Sequence, residues 1–200
     1  MGRYIALEGS EGCGKSTQAA RLATALDAVL TRETGGTDIG QRIRSILHDT
    51  AITNLSHRSE ALLAAADRAQ HLAEVVSPAL ADGRHVVSDR SVYSTLAYQG
   101  YGRGLDLADL RSINHWAVDG VWPELVVLID APAEVLAGRL RGRTLDRFEQ
   151  EHADFHRRVA DGFRAMAAAD PDHWVVVDGT RRPDEVASII RAAVHDRLGV

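Results

Sequence analysis

The residues best suited to chemistry lie together near the N-terminus: Gly9-Ser10-Glu11-Gly12-Cys13-Gly14-Lys15-Ser16-Thr17. Their spacing is G-x-x-x-x-G-K-[ST], a loop whose glycines let backbone N–H groups turn inward onto phosphate oxygens. A helix starting at Lys15 adds the positive end of its dipole at the same point. Lys15 would bridge the terminal phosphates of a nucleotide, and the Ser16 hydroxyl would hold Mg²⁺. Lys15 is also the only lysine in the chain, since the other 22 of the 23 basic residues are arginine. A compact ammonium on a flexible stem suits a narrow loop in which a planar guanidinium would fit badly.

Two more stretches bear on the same chemistry. Asp89-Arg90 follows an apolar run, and a carboxylate beside a guanidinium at a strand end makes a platform for metal and phosphate. Asp130, closing "LVVLID", competes for the metal role but reads more simply as the N-cap of the next helix. Arg139, Arg141, Arg143 and Arg147 crowd around Gly142. Such a run is either a solvated helix end or a lid that closes on a transferring phosphoryl group. Phosphoryl transfer needs cations around the equatorial oxygens and exclusion of water. The phosphate loop has no basic residue besides Lys15, so a lid arginine could supply the missing charge.

Positioning these groups requires elements the sequence also implies. Short apolar runs at "RYIALEG", "AVLTRE", "DGRHVVSDR", "ELVVLID" and "HWVVVDG" predict five strands. Helical spacing predicts helices over Lys15–Asp27, from Thr37 or Asp38 to Leu47, and along Ser56–Ala81, with a kink or boundary at Ser77-Pro78. Further helices are predicted from Ser91 to Tyr101, interrupted by the glycines of "QGYGRG", and over Asp106–Trp116. The "APAEVLAGRLRGR" stretch, Phe148–Ala169 and Pro183–Leu198 complete the set. Solid apolar strands alternating with helices indicate a five-stranded parallel sheet covered on both faces, an α/β P-loop NTPase fold of three layers. One domain over 1–200 is expected. It would carry a helical insertion near 35–82 that receives the second substrate and a short lid near 139–150.

Composition narrows the partners. A net charge of −5 without a long basic run argues against a nucleic-acid or membrane-surface binder. A single cysteine excludes an internal disulfide framework. With neither a leader-like N-terminal stretch nor a membrane-length apolar run, a cytoplasmic location is expected. A guanine-nucleotide switch would carry an N-K-x-D motif, which a one-lysine chain lacks. Two hundred residues suit a compact kinase of a small substrate better than a motor or helicase.

The segments "IALEGSEGCGKST", "TRETGGT", "DRAQH", "DRSVYSTLAYQGYGRG", "WPELVVLIDAP" and "LDRFEQE" run nearly the length of the chain. Together they resemble the thymidylate kinase family of nucleoside monophosphate kinases, in the bacterial subtype whose lid supplies catalytic arginines. The resemblance implies ATP with Mg²⁺ as phosphoryl donor, dTMP as acceptor and a homodimer. It implies Lys15, Arg90, Arg141 and Arg143 around the transferring group, and Asp89 near the metal and acceptor. Gly9 to Thr17, Arg139, Arg147, Thr180 and Arg181 would hold ATP, the last two with Arg139 near the adenine. Ser16, Asp89 and Glu149 would serve the metal, with Asp146 helping Glu149 order the lid. Glu11 would meet the sugar 3′-hydroxyl, Arg68 a carbonyl on the thymine edge, and Arg32 and Arg90 the acceptor phosphate. Ser94, Thr95, Tyr98 and Gln99 would line the acceptor's base and sugar.

Three positions depart from the family pattern. Thr34 stands where "TREPGGT" has proline, so a trans Glu33–Thr34 bond is expected, a cis one costing about 2.5–4 kcal/mol. Ala64 stands where a phenylalanine stacks on thymine, and such stacking is worth roughly 1–3 kcal/mol per base. Ser91 stands where tyrosine or histidine is usual. These leave two alternatives open: a kinase of another or modified pyrimidine deoxynucleotide, dUMP-like, or a silent nucleotide-binding regulatory protein. For the phosphate loop the expectation is direct. Lys15→Arg keeps the charge but loses the shape, and phosphoryl transfer in a coupled ADP-release assay should fall sharply.

Overall fold

A computed structural model describes residues 2–200. The five expected strands form one parallel sheet: β1 (Tyr4–Glu8), β2 (Val29–Arg32), β3 (Val86–Asp89), β4 (Leu125–Asp130) and β5 (Trp174–Asp178). Their order is β2-β3-β1-β4-β5. Leu7 pairs with Asp89, and Asp89 with Arg32, so the carboxyl ends of β1, β2 and β3 lie level. Loops leaving these ends therefore meet in one crevice, the usual ligand position in open parallel sheets.

The helices are α1 (Lys15–Leu26), α2 (Asp38–His48), α3 (His57–His71), α4 (Ser77–Ala81), α5 (Val92–Thr95), α6 (Leu107–Val118), α7 (Ala133–Leu140), α8 (Ala153–Ala169) and α9 (Pro183–Leu198). Side chains of a strand alternate between faces, and β4 shows both. Leu125, Val127 and Ile129 join a core with Leu22 of α1 and Val186 and Ile190 of α9. Val126 and Leu128 join one with Leu110 of α6 and Phe155 and Phe163 of α8. Both faces are covered, which is why the strand runs are solidly apolar.

The structure corrects several expected boundaries. The long helix after Ser56 passes through a π-helical turn, Leu72–Val76, before α4. Pro78 has no N–H to offer an α-helical bond, and the turn before it widens until the cap N–H of Ser77 reaches Leu72 O. The interruption expected at "QGYGRG" is present: helical structure ends at Gly102, Arg103 turns, Gly104 has φ 76° and helix resumes at Leu107, although Gly100 and Gly102 themselves lie inside the helical run. The chain continues from α5 through a π-helical segment, Leu96–Gly102, into which α8 packs. A Cβ on Gly102 would lie 2.6 Å from the Phe155 ring, and Gly162 of α8 gives the same close approach to Tyr101. Gly102 and Gly162 therefore serve packing, while Gly104 makes the break. Helix α7 ends at Leu140, short of Arg143, and α8 starts at Ala153 rather than Phe148, leaving 141–152 outside helix. Asp130 is not an N-cap. Pro132 holds that position, and the Asp130 carboxylate is bidentate with Arg164 at 2.9 and 3.0 Å.

The Gly102–Phe155 contact leaves no room for a methyl group. Gly102→Ala should destabilise by about 1–3 kcal/mol through overpacking, lowering the thermal unfolding midpoint by several degrees.

Candidate active site

The loop between β1 and α1 curls because its glycines allow it. Gly9 has φ 142° and its missing Cβ would sit 2.5 Å from Ile129 O; Gly14, the N-cap of α1, has φ 99°. Gly14 provides no capping side chain, and the first turn of α1 has no acid. The first N–H groups of a helix lack intrahelical partners, so this end suits an anion. Lys15 lies folded into the loop, its Nζ donating to Ser10 O at 2.9 Å and 3.7 Å from Cys13 Sγ. Cys13 itself is buried in the core, so only its backbone is available to a ligand.

Around this loop opens a cleft of about 600 Å³, lined by Glu11, Gly12, Gly14, Lys15, Ser16 and Thr17. It is also lined by Arg32, Arg68, Asp89, Arg90, Ser94, Thr95, Tyr98, Gln99, Arg139, Arg143 and Glu149. Most residues singled out in the sequence thus meet in one place.

The centre of the cleft is Arg90. Its Nη2 donates to Glu11 and to the Tyr98 hydroxyl at 3.0 Å, and its Nη1 to Ser94 Oγ at 3.0 Å. Its guanidinium carbon stands 4.9 Å from the Tyr98 ring centre. Burial works against the charge, but Glu11 and Tyr98 hold Arg90 well above the usual arginine range. Burial likewise pushes the Glu11 carboxyl up, and the Arg90 and Lys15 charges outweigh it, leaving Glu11 at about 2. Tyr98 is pushed well above the usual phenol range by burial and stays protonated. Its hydroxyl donates to Glu11 at 3.1 Å.

Asp89 accepts the Ser16 hydroxyl on Oδ2 at 2.5 Å. Its Oδ1 is buried without a hydrogen-bond partner. A hard cation beside Ser16 would satisfy that oxygen, so these two residues fit Mg²⁺. Glu149 lines the same cleft, but its carboxylate accepts the Asp146 N–H at 3.0 Å and lies 3.9 Å from Arg143.

Arg68 corrects a simple picture of base reading. Its side chain is 2% exposed. It donates to Glu33 at 2.8 Å, to Asn114, to Ser91 O at 3.3 Å and to Thr95 Oγ1 at 3.0 Å. A guanidinium has five N–H groups, so most of its donors are already engaged. The Glu33–Thr34 bond is cis, contrary to expectation. Hydrogen bonds fix the chain on both sides of it: Glu33 N–H to Asp89 O at 3.1 Å, Glu33 carboxylate to Arg68 and His71, Gly35 N–H to Asp67 at 2.9 Å. These partners come from two other elements, β3 and α3, which the departure at Thr34 could not reveal.

The lid segment divides in two. Arg143 faces the cleft, while Arg141 is exposed and outside its lining. Arg139 reaches back to Gly179 O at 2.8 Å and Gly12 O at 3.4 Å, joining the loop of Thr180 and Arg181 to the phosphate loop. Thr180 and Arg181 themselves turn to Asp178 and do not line the cleft. Arg147 does not face the cleft either. It donates to Leu47 O at 2.7 Å and to buried Glu60 at 2.6 Å, with its guanidinium over Phe148. Glu60 also accepts from Gln99 at 2.8 Å and from Arg103. The carboxylate of Glu60 thus holds Arg147, expected near ATP, against α2 and α3 and out of the cleft lining.

Arg44 is a cleft residue that sequence reasoning missed. Burial, then the neighbouring charges of Arg32 and Arg90, push its guanidinium below the usual range. Arg32 and Arg44 have no acidic partner among the described residues, and with the Glu11-paired Arg90 beside them they suit a multiply charged anion. The signal available was its place on α2 just after "TGGT", which spacing alone did not separate from a surface arginine. Also missed were Glu8, Glu33, Glu60 and Asn114, all buried, whose partners are far off in sequence.

Residues 7–190 match the family described as thymidylate kinase. The thymidylate kinase of Trichlorobacter lovleyi is 49% identical over 98% of this chain and 99% of its own length. That of a Synechococcus species is also 49% identical, over 98% and 96%. The crystal structure of thymidylate kinase from Ehrlichia chaffeensis superposes with a TM-score of 0.81 at 29% identity, covering 96% of this chain and 98% of that one. The chain belongs to the thymidylate kinase family. The α/β P-loop fold and the enzyme class, an ATP-dependent nucleoside monophosphate kinase, follow from that membership. In this thymidylate kinase family member, the arginine cluster and the phosphate loop line one cleft.

The Glu11–Arg90 pair makes stability depend on pH. Glu11 titrates at about 2 folded against an ordinary 4.5. Its contribution is therefore full above about pH 4.5 and lost as pH falls towards about 2. In urea unfolding, the stability gap between wild type and Glu11→Gln should be constant above about pH 5 and shrink below pH 4.5.

Proposed function

We propose that this cleft transfers the γ-phosphoryl of ATP to dTMP, giving dTDP and ADP, with the residue roles that follow. Family membership over nearly the whole chain carries the reaction. One observation supports the roles: Arg32, Arg44 and Arg90 face the same cleft as the phosphate loop. The ATP phosphates sit on the N–H groups at the start of α1, with Lys15 turning from Ser10 O to the terminal phosphates. Ser16 and Asp89 hold Mg²⁺, which when bound neutralises charge between the phosphates. The acceptor phosphate sits among Arg32, Arg44 and Arg90. It is already anionic, so the chain supplies orientation and charge, with no strong base needed. Arg143, with Arg141 swinging in from solvent, completes the cation shell, and residues 139–150 act as the lid. Arg139, Thr180 and Arg181 border the adenine.

Glu11 faces the sugar 3′-hydroxyl as an ionised acceptor. Tyr98 packs beneath the sugar, and Thr95, Gln99 and the remaining Arg68 donor serve the base. Ala64 lines the cleft without a ring to stack. The aromatic rings lining it are His48, Tyr98 and Phe148. Phe148 meets both others edge-on, at 5.3 and 5.8 Å between centres.

We also infer a homodimer in the cytoplasm. No described helix is long and apolar enough to cross a membrane. Leu62 on α3 and Trp116 on α6 are 55% and 84% exposed, and these two helices pack together. A second copy covering that apolar face would remove both from water.

Coupled ADP-release assays with each nucleoside monophosphate test the acceptor. dTMP should give the highest kcat/KM, and equal rates for all acceptors would overturn it. Ala64→Phe should lower the dTMP KM, by up to the roughly 1–3 kcal/mol of a base stack.

A further inference from the structure

Glu8 closes β1, immediately before the phosphate loop, and is fully buried. Among the described residues, no arginine or lysine pairs with its carboxylate. Four neutral donors fill it instead. Oε1 accepts the Ser91 N–H and Ser91 hydroxyl, each at 2.8 Å, and the Ser94 N–H at 3.2 Å. Oε2 accepts the Ser94 hydroxyl at 2.7 Å. Burying an ionisable group is costly unless its hydrogen bonds are made, and here they are made to one short stretch of chain. That stretch is the start of α5, where the N-cap Ser91 gives no side-chain cap of its own. Glu8 caps α5 from a different element.

What this capping fixes is Arg90. Its backbone has φ 75°, the left-handed region that an arginine rarely adopts. Its N–H donates to Leu7 O at 2.9 Å, the residue before Glu8, and its carbonyl accepts Ser88 Oγ at 2.6 Å. The Ser94 hydroxyl that donates to Glu8 is the one that accepts from Arg90 Nη1. Ser91 O, held by the same carboxylate, accepts from Arg68. One carboxylate therefore sets the turn that aims Arg90 and steadies Arg68.

We propose that Glu8 is a positioning residue for the acceptor-phosphate site, acting through Ser91 and Ser94 without touching substrate. The inference rests on the assignment of Arg90 to that phosphate. A glutamine at this position keeps the shape but turns one oxygen into a donor. If that NH₂ faces Ser94, its hydroxyl must accept from both glutamine and Arg90, and its own proton loses its acceptor.

Steady-state kinetics of Glu8→Gln, Ser94→Ala and the double variant test this, with Arg90→Ala as reference and circular dichroism to confirm folding. The dTMP KM should rise about tenfold in each single variant, with the ATP KM within about twofold; the double variant should lose no more than the poorer single, as linked groups do. A purely structural role would lower the melting temperature and leave KM of the folded enzyme unchanged. An unchanged dTMP KM in Glu8→Gln and Ser94→Ala, or an equal rise for both substrates, overturns the proposal. If Arg90→Ala raises the dTMP KM and these variants do not, Glu8 alone is misassigned. If Arg90→Ala also leaves it unchanged, the assignment of Arg90 falls and the proposal falls with it. Should Glu8→Gln fail to fold, Ser91→Ala decides the same question, because it removes a donor to Glu8 and leaves both the carboxylate and the Ser94–Arg90 bond in place.

Discussion

Holding a buried guanidinium at the carboxyl end of a parallel sheet is the constraint on which the site depends. Arg90 is 15% exposed in its side chain, and its charge must be matched where water is scarce. Glu11 from the phosphate loop, Tyr98 from the π-helical segment and Ser94 from α5 all converge on it. Each partner belongs to a different element, so the ion pair ties the phosphate loop to the acceptor side of the cleft. Removing one member would strand the opposite charge, which is the costly case for buried pairs.

A second buried carboxylate organises the lid by the same logic. Glu60 gathers Gln99, Arg103 and Arg147. Asp146, held at about 2 by the His48 ring and lid N–H groups against its own burial, ties the adjacent residue to α2. The segment proposed as the lid is therefore anchored from Asp146 onward, while Arg141–Thr144 are exposed. Arginines that look alike in sequence divide accordingly: Arg147 is an anchor, Arg139 a bridge to Gly179, and Arg141 and Arg143 the cations left to move. Division between the lone lysine and the arginines follows from shape. Lys15 folds into the loop against Ser10 O and Cys13 Sγ while still lining the cleft, and planar guanidinium groups hold broader anion surfaces.

Substitutions at the acceptor end keep the framework and change the surface. Ala64 removes a ring from the cleft, while Ser91, still part of the cleft wall, gives its hydroxyl to Glu8. Thr34 stands where the family pattern has a proline, and hydrogen bonds of Glu33, Asp67 and Arg44 hold this loop.

Local pattern was enough for the strands, the phosphate loop, the Asp89-Arg90 platform and the family, because each is written in consecutive residues. Periodicity of apolar residues declares a strand or helix without reference to anything distant. Helix ends and the packing role of Gly102 and Gly162 were not legible, since their partners Phe155 and Tyr101 each lie on a segment distant in sequence. Nor was the division among the arginines, or the status of Glu8, Glu60 and Arg44. A charged side chain's role depends on which opposite charge or donor burial brings to it, and only the tertiary structure makes those pairs. The sequence alone determined which chemistry is present; the fold decided which charges are spent on holding the site and which remain for the substrates.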